Sequence, residues 1–141
     1  MFEKHTSVET RLEQYRLLRT ANLSETDIVQ KFGEIKVLSR YIDYWTPKEW
    51  PNPFEIIENG YFCTTGISIL MYHVLGHLGF INPVNTNWKV ISNNINGKDG
   101  AVFVHNNKIY NLDQTQPLNI NDAEDHYITL IDHKNLFLPL I

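Results

Sequence analysis

Hydrophobic spacing divides the chain into a helical first half and a strand-rich second half. Apolar residues recur at helical intervals over about 7–20 and about 25–44, and they crowd the segment 64–78. Thr6 and Ser24 supply start signals for the first two helices. From about residue 86 the period changes toward two, which is typical of strands. Helices followed by strands predict an α+β fold, with the central helix packed on a small antiparallel sheet.

Turn residues refine these boundaries. Three prolines in the segment 45–53 cannot continue a helix, so that segment is predicted to be a structured loop. Gly79 is expected to end the central helix. The predicted strands are 88–91, 101–104 and 108–112, followed by a hairpin of 126–131 and 136–140 around the turn 132–135. Pro139 favours an edge position for the last of these strands.

Length and charge narrow the class of protein. The 141 residues predict a single domain over 1–141, with a helical part over about 7–79 and a sheet part over about 86–141. The net charge is -4 and the basic residues are scattered, so neither nucleic acid nor an anionic membrane is an expected partner. Because the first residues are charged and no long apolar run follows, we expect a cytoplasmic protein.

The chain has one cysteine, Cys63, directly before the central helix. A lone cysteine forms no internal disulfide and lacks the partners of a Cys-based zinc site. A thiol in the first turn of a helix is stabilised as thiolate by the helix dipole and free N–H groups, which also suit an oxyanion. Cys63 is therefore either a nucleophile or a small core residue, and no cofactor is predicted.

Residues around Cys63 carry a family resemblance. The turn Gly60-Tyr-Phe-Cys63, an apolar helix ending in Leu78-Gly-Phe80, and the later stretch Tyr110-Asn-Leu-Asp-Gln-Thr115 follow one another in the sequence. This pattern, over about 58–118, resembles the transglutaminase-like and arylamine N-acetyltransferase branches of the papain-like fold. The resemblance implies that Cys63 is the nucleophile and that Asp113 orients the base.

The base itself departs from the family pattern. The family histidine would fall near Asp99 or Gly100, where this chain has no histidine. Three candidates remain open: His105, if a bulge turns it inward; His126, which opens a predicted strand; and Asp99, as a poorer base. Loss of general acid–base catalysis slows a reaction roughly 10²- to 10⁴-fold.

Two functions therefore stay open at this point. The first is a cysteine hydrolase or acyltransferase that acts on a protein or small acyl or amide substrate. The second is a catalytically inactive protein on the same fold that binds a protein partner, as an inhibitor, immunity or counter-defence factor. The absent histidine, the small size and the acidic, Asn-rich composition favour the second function.

Two further groups of residues are candidate sites. His73 and His77 have the spacing of a helical metal pair, but no third ligand accompanies them, and we predict no metal site. Aromatic residues precede Cys63, and they form either the wall of a substrate or partner groove or a loop packed down by its large side chains. The groove candidates are Trp45, Trp50, Tyr61 and Phe62.

Overall fold

A computed structural model describes residues 1–3, 5–39 and 42–141. The helices are α1 Val8–Arg19, α2 Glu25–Gly33, α3 Pro53–Asn59, α4 Thr64–His77 and α5 Ile120–Ala123. The strands are β1 Thr86–Asn93, β2 Asp99–His105, β3 Lys108–Tyr110, β4 Leu118–Asn119 and β5 Tyr127–His133. Short 3-10 turns lie at Pro47–Glu49, Pro83–Asn85 and Glu124–His126. The predicted α+β fold class is confirmed.

The strands form one antiparallel sheet in the order β4-β3-β2-β1-β5, and β2 is the strand most closely packed on α4. Side chains alternate between its two faces. Trp88 and Phe103 lie on the face toward α4, where Tyr72 packs against both rings. Ile91 and Val102 belong to a smaller core on the opposite face. The main core thus lies between α4 and the middle of the sheet.

Most predicted elements are present with small shifts. The first predicted helix is α1, although its N-cap is Ser7, whose hydroxyl accepts from Thr10 N–H at 3.2 Å, and not Thr6. Ser24 caps α2 as predicted. The predicted central helix is α4, and β1, β2, β3 and β5 contain or overlap the predicted strands. Within the described ranges, no helix combines the length and the apolar character needed to cross a bilayer.

The predicted second helix is wrong beyond Gly33. At Gly33 the backbone meets another segment closely: a Cβ built there would lie 2.0 Å from the Gln114 carbonyl oxygen. The chain then leaves the helical path, and the Leu38 N–H donates to the Phe62 carbonyl at 3.0 Å. Leu38 therefore lies beside the residue that precedes Cys63. The part of this prediction that concerns residues 40 and 41 lies outside the described residues.

The proline-rich segment was predicted as a loop, but a helix begins within it. Pro53 occupies the first turn of α3, where its missing N–H has no helical acceptor in any case. Asn52 and Glu55 form a reciprocal capping box, with Glu55 N–H to Asn52 Oδ1 at 2.9 Å and Asn52 N–H to Glu55 Oε1 at 3.1 Å. Pro53 therefore lies at the start of a helix and not in a loop.

The predicted final strand over 136–140 is also wrong. Among the described residues, this segment pairs with no strand; it packs along α4 instead, where the Tyr72 hydroxyl donates to the Leu138 carbonyl. Gly76 of α4 allows the close approach, since a Cβ there would lie 2.4 Å from a methyl carbon of Leu140. Pro139 has no N–H for a ladder, so packing on the helix replaces sheet pairing. Two short elements, β4 and α5, were not predicted.

Candidate active site around Cys63

Cys63 is the N-cap of α4, and its sulfur faces the first turn of that helix. The Gly66 N–H donates to Cys63 Sγ at 3.4 Å, and the residue is only 2% exposed. Gly66 is required by the loop that precedes the cysteine, because a Cβ there would lie 1.9 Å from the Tyr61 carbonyl oxygen. Gly66 therefore allows the turn that contains Tyr61 and Phe62, called the aromatic turn below, to lie against the start of the helix.

The first turns of α4 are joined to β2 by hydrogen bonds to Ala101. The Ala101 N–H donates to Thr65 Oγ1 at 3.1 Å, and the Ser68 hydroxyl donates to the Ala101 carbonyl at 2.6 Å. Beside them, a Cβ at Gly100 would lie 3.1 Å from Thr64 Cγ2. The beginning of β2 therefore lies directly against the first turn of the helix that carries Cys63.

Cys63 and Asp99 line one cavity of about 330 Å³ at this junction. Lys98 lies beside Asp99 in the cavity wall, and Ser39, Thr64 and Thr65 add hydroxyl groups. The apolar part of the wall comes from Val37, Leu38 and Tyr44. A carboxylate and an ammonium group thus share a small polar cavity with the only thiol of the chain.

The two histidine candidates for the base lie elsewhere. His105 ends β2 while Asp99 begins it, a separation of about 20 Å along a strand. β2 pairs with β1 without a register shift from Asp99 to His105, so the bulge that would turn His105 inward is absent there. Its Nε2 accepts from the Asn82 N–H at 3.2 Å. His126 is exposed in the turn before β5.

Asp113 lies in the turn that follows β3. Its Oδ1 accepts from both the N–H and the hydroxyl of Thr115, each at 2.8 Å. The described residues that line the Cys63 cavity include neither Asp113 nor any histidine. Of the candidate triad and its alternatives, the structure brings together Cys63 and Asp99, while the catalytic roles of all of them stay predictions.

Sequence reasoning missed Asn111, which is 5% exposed. Its Nδ2 donates to the Thr64 carbonyl at 3.1 Å and to Ser68 Oγ at 2.7 Å, so it reaches the same turn of α4 as Cys63. Its φ of 68° lies in the left-handed region that asparagine tolerates better than most residues. Asn111 falls inside the predicted strand 108–112 and the chain contains many other asparagines, so no local signal distinguished it.

Comparison with known proteins gives structural matches alone. No family model matches the chain, and no curated protein matches it in sequence. LapG of Legionella pneumophila is 14% identical, with a TM-score of 0.63 over 92% of this chain and 77% of that one. LapG is a transglutaminase-like cysteine protease of the papain-like fold. The fold is transglutaminase-like.

Two further LapG structures agree with this assignment. The calcium-bound form is 13% identical, with a TM-score of 0.61 over 92% of this chain and 85% of that one. The EGTA-treated form has the same identity and TM-score over 87% and 72%. Identity at this level shows the transglutaminase-like fold alone.

The aromatic candidates occupy three different environments within the transglutaminase-like fold. Trp50 and Tyr61 line a second cavity of about 470 Å³, and Trp50 packs edge-on against Trp88 at 5.2 Å between ring centroids. Trp45 is 47% exposed, whereas Phe62 is in the core. The predicted groove is therefore divided, and its function as a substrate or partner surface stays a prediction.

His73 and His77 hold the end of the chain against α4. His73 Nδ1 accepts from the Ile141 N–H at 3.3 Å, and His77 Nε2 lies 2.8 Å from the Ile141 carbonyl oxygen. Burial, followed by the nearby His77 and Arg19, lowers the pKa of His73 from 6.5 to about 4. Among the described residues, no group of three or more His, Cys, Asp or Glu is arranged to hold a metal.

Proposed function

We propose that this chain is a cysteine-nucleophile hydrolase or acyltransferase with an atypical centre, in which Asp99 replaces the histidine base. The proposal is supported above all by the cavity that Cys63 and Asp99 share at the N-terminus of α4. The expected substrate is a protein or small molecule with an acyl group on a good leaving group. Oxygen and sulfur leaving groups fit better than amines, because an amine needs a proton to depart and a carboxyl group gives less acid–base help than an imidazole.

In the proposed reaction, Cys63 Sγ attacks the acyl carbonyl after its proton passes to Asp99. Backbone N–H groups of the first turn of α4 are available to stabilise the oxyanion. The bond between the acyl carbon and the leaving group then breaks, the leaving group departs as its anion or with the proton from Asp99, and the acyl group stays on Cys63 as a thioester. Water or an amine releases it in a second step. Without imidazole, the second step is expected to be slow, so the acyl-enzyme should accumulate.

The test is a burst experiment with two substrates of the same acyl group. An activated nitrophenyl ester should acylate the protein rapidly, with one equivalent of nitrophenol released and the acyl group found on Cys63 by mass spectrometry. The matching anilide, whose leaving group needs a proton, should react far more slowly. Cys63→Ser should abolish the burst. An ester that reacts equally fast with the wild-type and Cys63→Ser proteins would contradict the proposal.

Asp99 provides a sharper variant. Asp99→His restores the residue type that the family pattern has near this position, and it should raise the rate of anilide cleavage roughly 10²-fold. Asp99→Asn is the matched control, since it preserves size and removes the proton acceptor. It should slow ester acylation by about tenfold or more. Equal acylation rates in wild type and Asp99→Asn would remove Asp99 from the reaction.

A second candidate function, binding of a protein partner without catalysis, is favoured by one observation. The described residues around the Cys63 cavity include no histidine, although the fold is transglutaminase-like. This function predicts that Cys63→Ala, folded and stable, keeps the full cellular activity of the protein. Loss of that activity in the folded variant would favour the enzyme.

A further inference from the structure

Asn111 connects the end of β3 to the helix that carries Cys63. The left-handed backbone at Asn111 takes the chain out of the strand directly after Tyr110. Both Nδ2 hydrogens are used on α4, one at the Thr64 carbonyl and the other at Ser68 Oγ. Because Thr64 follows Cys63 in sequence, this amide reaches the backbone of the residue next to the thiol.

The same contacts continue into β2. Ser68 Oγ, which accepts from Asn111, donates its own hydrogen to the Ala101 carbonyl. The Ala101 N–H returns to Thr65 Oγ1 on the first turn of α4. We call the contacts of Asn111 with Thr64 and Ser68, and of Ala101 with Ser68 and Thr65, the Asn111 clamp. Every one of these hydrogen bonds involves a buried residue, where an unpaired polar group is costly.

The clamp joins the two sides of the Cys63 cavity. Its α4 end is adjacent to Cys63, and its β2 end, Ala101, lies two residues from Asp99. Because side chains alternate along a strand, Ala101 and Asp99 project on the same face. We propose that Asn111 is a positioning residue that fixes the separation of Cys63 and Asp99 through Ser68 and Ala101. This inference rests on the proposed function, since it assigns Asn111 a task in that reaction.

Asn93 provides a matched comparison. It is 2% exposed, and its Nδ2 donates to the Leu112 carbonyl at 2.9 Å, next to Asn111 in sequence. Its Oδ1 accepts from the Ile95 N–H at 2.8 Å. Asn93 therefore stabilises the same loop after β3, but its side-chain hydrogen bonds do not reach α4. A role limited to loop stability would make the two asparagines equivalent.

The experiment compares Asn111→Gly with Asn93→Gly in the full chain. Glycine adopts a positive φ without strain, so Asn111→Gly removes the amide and keeps the turn. Two readouts are used: the rate of Cys63 alkylation by iodoacetamide across the titration range of a thiol, and hydrogen exchange of the Ala101 amide by NMR. Asn111→Gly should slow alkylation at neutral pH about 3- to 10-fold and move the pH profile upward. Asn93→Gly should leave the alkylation profile at its wild-type position and change Ala101 exchange less than Asn111→Gly does.

Ser68→Ala removes the middle of the clamp without a change in backbone freedom. If Asn111→Gly folds poorly, Ser68→Ala replaces it, and it should give the changes in alkylation and exchange that are expected of Asn111→Gly. An Asn111→Gly protein with the wild-type pH profile and wild-type Ala101 exchange would overturn the inference. Failure of the proposed function is distinguishable, because the wild-type thiol would then behave as an ordinary one. In that case Ala101 exchange decides: faster exchange in Asn111→Gly than in Asn93→Gly supports the clamp, and equal exchange overturns it.

Discussion

The two ends of α4 are built in different ways. At the N-terminal end, Cys63 lies over a polar cavity, and the helix is held through hydrogen bonds to Ala101 and Asn111. At the C-terminal end, the segment 136–141 covers the helix, and His73 and His77 both contact Ile141. One end thus leaves space beside a nucleophilic atom, while the other end is covered by the chain itself. The difference supports the proposal that the functional site lies at the N-terminal end.

Substitution of Gly66 should have the largest effect on stability. In Gly66→Ala the new methyl group would lie 1.9 Å from the Tyr61 carbonyl oxygen, which is backbone and cannot move without the whole aromatic turn. We expect a loss of about 3 kcal/mol or more in the free energy of unfolding, measured by urea denaturation. A Gly66→Ala protein as stable as the wild type would show that the turn before Cys63 is not packed as described.

At the opposite end, His73 should make stability depend on pH. Its pKa is near 4 in the folded chain, against 6.5 when unfolded, so the unfolded chain binds more protons between these values. The stability that the folded chain gains by keeping His73 neutral is fully present above about pH 6.5 and is lost as the pH falls toward 4. Between pH 7 and pH 4.5, His73 should lower the free energy of unfolding by about 2 kcal/mol.

His73→Gln removes this titration and should flatten that slope, whatever its effect on stability at pH 7. His5→Gln, at an exposed position, is the control and should keep the wild-type slope. Identical slopes in His73→Gln and wild type would mean that His73 is not buried against the C-terminal segment.

Gly76→Ala tests the packing at the C-terminal end of α4, as Gly66→Ala tests it at the N-terminal end. We expect a smaller change in the free energy of unfolding. The nearest atoms to its new methyl group belong to the Leu140 side chain, the closest at 2.4 Å, and a side chain can rotate away. Alanine also favours the helix by up to about 1 kcal/mol over glycine. We expect a net loss of about 1 kcal/mol or less by urea denaturation. A larger loss of unfolding free energy in Gly76→Ala than in Gly66→Ala would show that the C-terminal end of α4 is the more tightly packed of the two.

Local patterns predicted what is local in this fold. The helix α4 and the paired strands have strong periodicity, and Ser24 is a cap with its acceptor and donor three residues apart. The end of α2 at Gly33 was missed because it depends on Gln114, more than eighty residues later. The path of residues 136–140 was missed for the same reason, since it is fixed by contacts with Tyr72 and Gly76.

The candidate site was predictable in part. Cys63 and Asp99 were both named from the sequence, but the extension of β2 back to Asp99 and its contact with α4 follow from tertiary packing. Proximity in sequence favoured His105, yet six residues along a strand separate it from the start of β2. Asn111 and Gly66 gave no distinguishing local signals. Asn111 contacts a helix that is distant in sequence, and Gly66 is needed only because the Tyr61 backbone passes close to it.

The most direct test of the account is the pH dependence of Cys63 alkylation by iodoacetamide in the folded wild-type protein. The same chain unfolded in urea supplies the reference thiol, and Cys63→Ser supplies the blank. We predict that at neutral pH the folded protein is alkylated faster than the unfolded chain, because the helix N-terminus favours thiolate. A folded profile that coincides with the unfolded one, or a thiol that reacts only after unfolding, would contradict a nucleophilic role for Cys63.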